Sequence, residues 1–473
     1  MPVSSTATGG DLVRSRYLLL GEHPYRDARG EQVWFGYATR TASLVRLDPG
    51  SAEALRRGDL SSLDPAERER LAGLRAIVDP AEDELASVTG GLREGSDDRR
   101  VRSVTVMPTS YCNMACSYCG QEHYKAAHDQ VRADRTARRV EALFEDPEIT
   151  GVAVTWFGGE PLLALRVIRE MSARFTAAAA RTGTPYTARM ASNGSLLTVR
   201  TLEELHRDCA LNALELTLDG PQAVHDSRRL MRNARGSFQR TVAVLAEVLR
   251  GGRAPGLRIG IRVNVDQGNE DQVADLMNDL ACLGLNRPQV TLHLIAVHSW
   301  GNDVSAVELA ARNYAAREAE WLRLAESLGL GFAPLPTSPV ATTCIATTRS
   351  GEIIDPQGRV YSCSEHPLVP GARDTGVVAR VEDLTASAAR PGGAFDDWYD
   401  QVGSGAAQCS RCPILPVCGG SCPKLWREGH VPCPSVKFNW SERMDLAARR
   451  LGYTRDTGAE ARGAADAGAA DAG

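Results

Sequence analysis

The chain has 473 residues, enough for two or three domains, and its 43% hydrophobic and 24% charged residues are ordinary for a globular protein. A formal net charge of −5 offers no general basic face, which speaks against nucleic acid as a partner, and the sequence has no apolar run of about 18 residues to span a membrane. Residues 1–16 are polar with no stretch of signal-peptide type, so the expected place is the cytoplasm, where the twelve cysteines stay reduced and clustered thiols usually mean metal.

Residues 1–98 read as a small α+β module. Segments 33–37 and 42–47 have the composition of a hairpin. Two short helical stretches follow, and Asp64-Pro65-Ala66-Glu67 offers an N-cap, a proline at N1 and an acidic first turn. The glycine- and charge-rich stretch from Gly90-Gly91 to Arg100 reads as a linker.

From 99 to 330 strand and helix patterns alternate. Strands are expected at 103–107, 152–157, 187–191, 213–218, 259–265 and 290–296. Between them run amphipathic helices with stripes Leu165, Ile168, Met171, Phe175 and Val273, Leu276, Met277, Leu280; a last helix carries Tyr314, Trp321, Leu324 and Leu328. Strands that alternate with helices form parallel neighbours, so the fold class is α/β: a partial (β/α)6 TIM-type barrel with its chemistry at the C-terminal strand ends. Residues 331–450 are rich in Gly, Pro and Cys and short of apolar volume, so bound metal would have to hold that segment together. Residues 451–473 read as a disordered tail. Lysine occurs only at 125, 424 and 437 beside abundant arginine, a bias that codon usage explains.

Cys112-x3-Cys116-x2-Cys119 follows the first barrel strand. Three thiolates can hold three irons of a cubane and leave the fourth iron open to a small molecule; the competing reading is a zinc knuckle with a distant fourth ligand. Gly158-Gly159-Glu160-Pro161 ends the second strand, where glycines permit close backbone approach and a carboxylate suits an ammonium. Ser192-Asn193-Gly194 ends the third as polar contacts or as a plain turn. Arg262 and Asn264 share one face of the fifth, inward if Ile261 and Val263 point out.

The three-cysteine motif, with Tyr118 before its last cysteine, and the Gly-Gly-Glu-Pro turn resemble the radical S-adenosylmethionine (SAM) superfamily. That resemblance implies a [4Fe-4S] cluster on Cys112, Cys116 and Cys119 whose open iron chelates SAM. Reductive cleavage there gives a 5′-deoxyadenosyl radical that abstracts a substrate hydrogen. Tyr118, Gly158, Gly159, Glu160, Ser192, Asn193 and Arg262 would then contact SAM. Asp219-Gly220-Pro221, with His225, Asp226 and Arg228, resembles a segment of peptide-modifying members, although Asp219 could equally cap the next helix. Cys344, Cys363, Cys409-x2-Cys412-x5-Cys418-x3-Cys422 and Cys433 look like the seven-cysteine SPASM domain, a zinc ribbon being the rival for Cys409 and Cys412. The resemblance implies two auxiliary clusters: an outer one on Cys409, Cys412, Cys418 and Cys433, an inner one on Cys344, Cys363 and Cys422. With the first that makes three [4Fe-4S] clusters.

Sulfatase-maturing relatives place a further cysteine just before the position of Cys344 and an aspartate base after that of Cys363. Here the nearest upstream cysteine is Cys282 and the residue after Cys363 is Ser364, so the inner cluster would keep an open iron or take Glu365 or His366. Cys209 and Cys282 lie outside every motif, as buried hydrophobes or as a hydrogen-atom donor. The N-terminal module resembles domains that bind a leader peptide by strand addition, and could also be a mere cap. The resemblance implies a cytoplasmic oxidoreductase that crosslinks a ribosomally made precursor peptide through C–C or C–heteroatom bonds, fed by an external electron donor such as flavodoxin or ferredoxin. Sulfatase-maturing oxidation and peptide epimerisation are the alternatives in kind; a non-catalytic zinc or electron-transfer scaffold is the alternative of another class.

Overall fold

A computed structural model of the chain describes residues 12–457. It packs as two compact units: one comprises Gly95–Phe332 and Cys344–Asp397, the other the described residues up to Glu94, Ala333–Thr343 and the described residues from Trp398 onward. The units do not follow the segment boundaries read from the sequence, since part of the cysteine-rich region belongs to each.

The larger unit is built on six parallel strands in sequential spatial order, β1 (Val101–Val106), β2 (Gly151–Trp156), β3 (Tyr186–Ser192), β4 (Leu211–Thr217), β5 (Arg258–Val265) and β6 (Val290–Ala296). All six expected strands are present. Beside β1 the sheet continues with β7 (Gly351–Ile354), parallel to it, then β8 (Arg359–Tyr361) and β9 (Val377–Arg380), each antiparallel to the strand before it. The crossover helices bury the stripes seen in the sequence: Ile168, Met171 and Phe175 on Leu165–Thr182, and Val273, Leu276, Met277 and Leu280 on Val273–Cys282. Alternation along β5 buries Ile259, Ile261 and Val263. Among the described residues no helix is long and apolar enough to cross a membrane.

The Arg139–Glu352 ion pair, 2.9 Å, lies on side chains 1% exposed, between helix Gln130–Phe144 and β7; Arg139 also donates to the Thr385 carbonyl at 3.1 Å. Two buried histidines mark the unit's response to acid. Burial pulls His225 down to about 3 and His128 down to about 4. Both are neutral when folded, so as pH falls below about 6.5 the unfolded chain takes up protons first and stability falls. The expected loss is on the order of 1 kcal/mol per histidine per pH unit. Thermal midpoints at pH 7 and pH 5 check this. A flat profile, or one unchanged by His128→Leu, contradicts it.

The smaller unit contains an antiparallel sheet ordered Thr454–Arg455, Leu18–Arg26, Gln32–Ala38, Ser43–Leu47, with the last two forming the expected hairpin. Asp64 caps helix Pro65–Gly73 by accepting from the Glu67 amide, as its motif predicts. One strand was missed and two expectations need correction. Leu18–Arg26 is a strand that the irregular Gly21-Glu22-His23-Pro24 stretch concealed, with a register shift between Leu20 and Pro24. The linker expected from Gly90 is part of helix Glu84–Asp97: Leu85, Val88 and Leu92 pack with Tyr17, Trp398 and Leu415, while the glycines point into open space. The tail expected from 451 instead pairs Thr454 and Arg455 with Arg26 and Tyr25. Asp456, 4% exposed, binds Arg26 at 2.7 Å, and Tyr453 meets Phe35 edge-on at 5.0 Å. The remainder of that tail, 458–473, lies outside the described residues.

Candidate active site

The C-terminal ends of the parallel strands open on a cavity of about 630 Å³. Cys112, Cys116 and Cys119 all line it, as do Tyr118, Gly158 and Gly159. Ser192, Asn193, Arg262 and Asn264 complete the set that the sequence assigned to this place. Glu160 alone of those named for SAM is absent from the wall.

The glycines bring the cysteine loop and the second strand's turn together. Gly158 has φ +134°, and a Cβ there would sit 2.5 Å from the Thr109 carbonyl; one on Gly159 would run into the Tyr111 carbonyl and stand 2.8 Å from the Cys112 nitrogen. The turn's amides grip the loop directly, Gly159 donating to the Thr109 carbonyl at 3.3 Å and Glu160 to that of Tyr111 at 2.9 Å. Side chains cannot be accommodated at either position because the two backbones touch.

Glu160 is fully buried. Its carboxylate accepts from the Asn193 amide at 2.7 Å, the Leu162 amide at 3.0 Å and the Ser192 hydroxyl at 2.8 Å. Burial raises its pKa even against these three donors. The residue ties the end of β2 to the end of β3. Asn193 in turn donates to the Asn113 side chain at 2.9 Å, and Asn113 to the Ser195 hydroxyl at 2.9 Å. Asn193-Gly194 is therefore a turn, with Gly194 at φ +76°, and also a brace for the loop.

The other side of the loop is held by charge. Residues 114–116 pair antiparallel with Arg229–Met231. The Tyr118 hydroxyl donates to Asp219 at 2.5 Å and accepts from Arg229 and from Asn264 at 3.1 Å. Asp219 is fully buried and also accepts from the Asn264 amide at 2.8 Å. The following helix, Gln222–Arg228, has Pro221 at its N-cap and no side-chain cap, so Asp219 anchors the cysteine loop instead of capping. His225 accepts from the Asp219 amide at 3.3 Å and pairs with Ser237 at 2.9 Å; Arg228 forks onto Asp266 at 2.7 and 2.8 Å.

The thiols sit in a demanding environment. Burial pushes Cys112 up to about 11 and raises Cys116 and Cys119, with Arg229 working against the rise at each. A buried thiol so placed gives up its proton readily only when a metal takes the sulfur. Arg229 and Arg232 on the cavity wall supply countercharge, and Arg232 also binds the Cys112 carbonyl at 3.1 Å. The donor set fits a cubane: three thiols without a fourth, a polar wall opposite, and positive charge around them. Among the described residues no three His, Cys, Asp or Glu gather at one point, as a single metal ion requires.

In the smaller unit Cys409, Cys412, Cys418 and Cys433 line one small cavity, and burial pushes Cys409 and Cys418 up to about 12. Cys422 belongs to the same unit; Cys344 and Cys363 belong to the larger one. Cys363 is buried with Ala346 and Phe395. Cys209 is buried and Cys282 exposed, and neither reaches the large cavity. Sequence reasoning missed Arg229, Arg232, His123 and Lys437. His123 stands 3.7 Å from the Cys119 sulfur, and Lys437 donates to the Cys433 sulfur at 3.3 Å. Its rarity was the available signal for Lys437; Arg229 had none beyond its place after Arg228.

Residues 106–280 match the family model of the radical SAM superfamily. A serine-type anaerobic sulfatase-maturating enzyme from Bacteroides thetaiotaomicron is 22% identical over 354 residues, 68% of this chain and 82% of that protein. An uncharacterized Synechocystis protein is 30% identical over 150 residues, 29% of this chain; the chain spans 35% of that relative's length. Among solved structures, anSMEcpe with bound AdoMet and Kp18Cys peptide superimposes with a TM-score of 0.56 at 16% identity, over 74% of this chain and 98% of that one. At that identity the likeness speaks for the fold, a parallel partial barrel carrying the cysteine loop at its strand ends. The family match runs from the end of β1 into the helix after β5, across the cysteine loop and the Gly-Gly turn, and identifies this part of the chain, residues 106–280, as a radical SAM domain.

Proposed function

We propose that the chain is a SAM-cleaving oxidoreductase that crosslinks a ribosomally made precursor peptide. The observation that carries this reading is the convergence of Cys112, Cys116 and Cys119 with Gly158, Gly159, Ser192, Asn193, Arg262 and Asn264 on one cavity wall. A [4Fe-4S] cluster with SAM bound there supplies one-electron cleavage of the sulfonium and abstraction of a substrate hydrogen. The chain's own residues provide the frame. Gly158 and Gly159 leave room for ligand and loop, Ser192 and Asn193 offer polar contacts, and Glu160 holds those two in place from behind. Asp219, Tyr118 and Arg229 keep the loop rigid, so that a ligand meets a preformed site.

The outer auxiliary cluster is proposed on Cys409, Cys412, Cys418 and Cys433, supported by their shared cavity. The third cluster of the count rests on the sequence resemblance alone. An auxiliary cluster would accept the electron released when the substrate is oxidised, and a small external donor such as flavodoxin or ferredoxin would supply the first. The peptide substrate is supported by the peptide-bound relative. Its leader would add to the edge strand Ser43–Leu47, because the opposite edge of that sheet is already paired by Thr454–Arg455. The proposed place is the cytoplasm, where such thiols stay reduced.

Sulfatase-type oxidation is the second reading, favoured by the Bacteroides relative and by Glu365, a carboxylate on the cavity wall just past Cys363. Ser364, standing where that type has its base, weighs against it. Mass spectrometry of the precursor peptide co-expressed with this chain separates the readings. A crosslink removes a hydrogen pair and suppresses backbone fragments between the joined residues. A hydrazide-reactive aldehyde indicates sulfatase-type chemistry, and unchanged mass with deuterium uptake indicates epimerisation; either outcome overturns crosslinking.

A further inference from the structure

We propose that Lys437 is a positioning residue that sets the reduction potential of the cluster on Cys409, Cys412, Cys418 and Cys433, making it the better electron acceptor. The inference rests on the reading that these four thiols hold a cluster. The Lys437 ammonium donates to the Cys433 sulfur at 3.3 Å and lines the same small cavity as the four cysteines.

Besides the sulfur, the Lys437 ammonium stands 5.7 Å from the Phe438 ring centroid, a weak contact that does not by itself call for a cation. Lys437 lies in the first turn of helix Val436–Arg450, where the exposed amides already make the helix end positive and a lysine is out of place. Its hydrogen-bond partner is a sulfur and not a carboxylate, whereas Lys424 pairs with Glu428 at 2.7 Å. The residue type also departs from the chain's habit: lysine fills three of 54 basic positions. An ammonium is a compact point charge that can stand end-on to one sulfur, while a guanidinium spreads its charge over a planar fork.

The helix end and the ammonium together place positive charge beside sulfur ligand Cys433. A donated hydrogen bond and a nearby cation both stabilise the state that carries the extra electron, so both raise the potential. One electron enters the cluster, no bond is made or broken, and no proton moves. In turnover the electron would come from the oxidised substrate; in the test below dithionite supplies it.

The test is a potentiometric titration followed by electron paramagnetic resonance on anaerobically reconstituted full-length protein, wild type beside Lys437→Met and Lys437→Gln, with iron and sulfide assayed on each. With iron content equal to wild type, one cluster signal is expected to shift to more negative potential by at least about tenfold in its reduction equilibrium, 59 mV per decade for one electron. Lys437→Arg is expected to recover most of that shift. An unmoved titration at full iron overturns the proposal. If both neutral variants lose iron, its restoration by Lys437→Arg reads as charge acting on the cluster, and failure to restore it overturns the proposal. Cys412→Ala in the same titration reports on the cluster itself. If no signal disappears there, the four-thiol assignment falls; a normal Cys412 response with an unmoved Lys437→Met titration removes the lysine alone.

Discussion

Replacing Gly159 by alanine is expected to abolish nearly all SAM cleavage while leaving the protein folded. The added methyl would run into the Tyr111 carbonyl and stand 2.8 Å from the Cys112 nitrogen, and both neighbours are backbone that cannot rotate away. Relief requires the turn and the loop to part, which breaks the grip of the Glu160 amide on the Tyr111 carbonyl and moves Cys112. A displacement near 1 Å at such a site costs about 100-fold in rate, so 5′-deoxyadenosine release should fall by about that factor or more. Gly90→Ala is the control, because a Cβ there meets nothing within 4 Å. Anaerobic reconstitution with dithionite and SAM, with product read by chromatography, checks both. A Gly159→Ala enzyme within twofold of wild type contradicts the close-approach account.

The second large effect is expected at Asp219→Ala. Asp219 is fully buried, and its removal leaves Arg229, with a side chain 9% exposed and 3.6 Å from the carboxylate, without its counter-charge. Breaking a buried pair by deleting one partner costs about 3–5 kcal/mol, and the larger unit's unfolding midpoint should fall accordingly. Tyr118 loses its acceptor at the same time, so the loop also loses its anchor and cluster occupancy should drop. Asp219→Asn keeps an oxygen for Tyr118 and the Asn264 amide and is expected to lie between the two. Urea unfolding read by circular dichroism measures this; a loss under about 1 kcal/mol would mean the ion pair is not what holds Arg229 inside.

Six barrel strands were legible because each is a short apolar run at a regular interval from an amphipathic helix, a pattern that local packing dictates. The convergence of Cys112, Cys116 and Cys119 on one cavity wall was legible because their spacing is itself local. What stayed hidden was long-range. Asp219 looks like a helix cap until its partners Tyr118 and Asn264, 101 and 45 residues away, are brought beside it. Glu160 looked like a ligand for an ammonium, and the structure turns its carboxylate inward onto the Ser192 hydroxyl and two amides. The helix Glu84–Asp97 was lost behind Gly90-Gly91, since glycine pairs signal turns locally while Leu85, Val88 and Leu92 find their partners only across the smaller unit. The strand at Thr454–Arg455 is two residues long, too short for any periodicity to announce.

The central claim is that Cys112, Cys116 and Cys119 hold a cluster with one iron open to SAM. Its most direct test compares wild type with Cys116→Ala after anaerobic reconstitution, counting iron and measuring 5′-deoxyadenosine formed from SAM and dithionite. The account predicts that the variant loses about three to four irons and all SAM cleavage while the auxiliary signals persist. Equal iron and equal 5′-deoxyadenosine in the two proteins would contradict it.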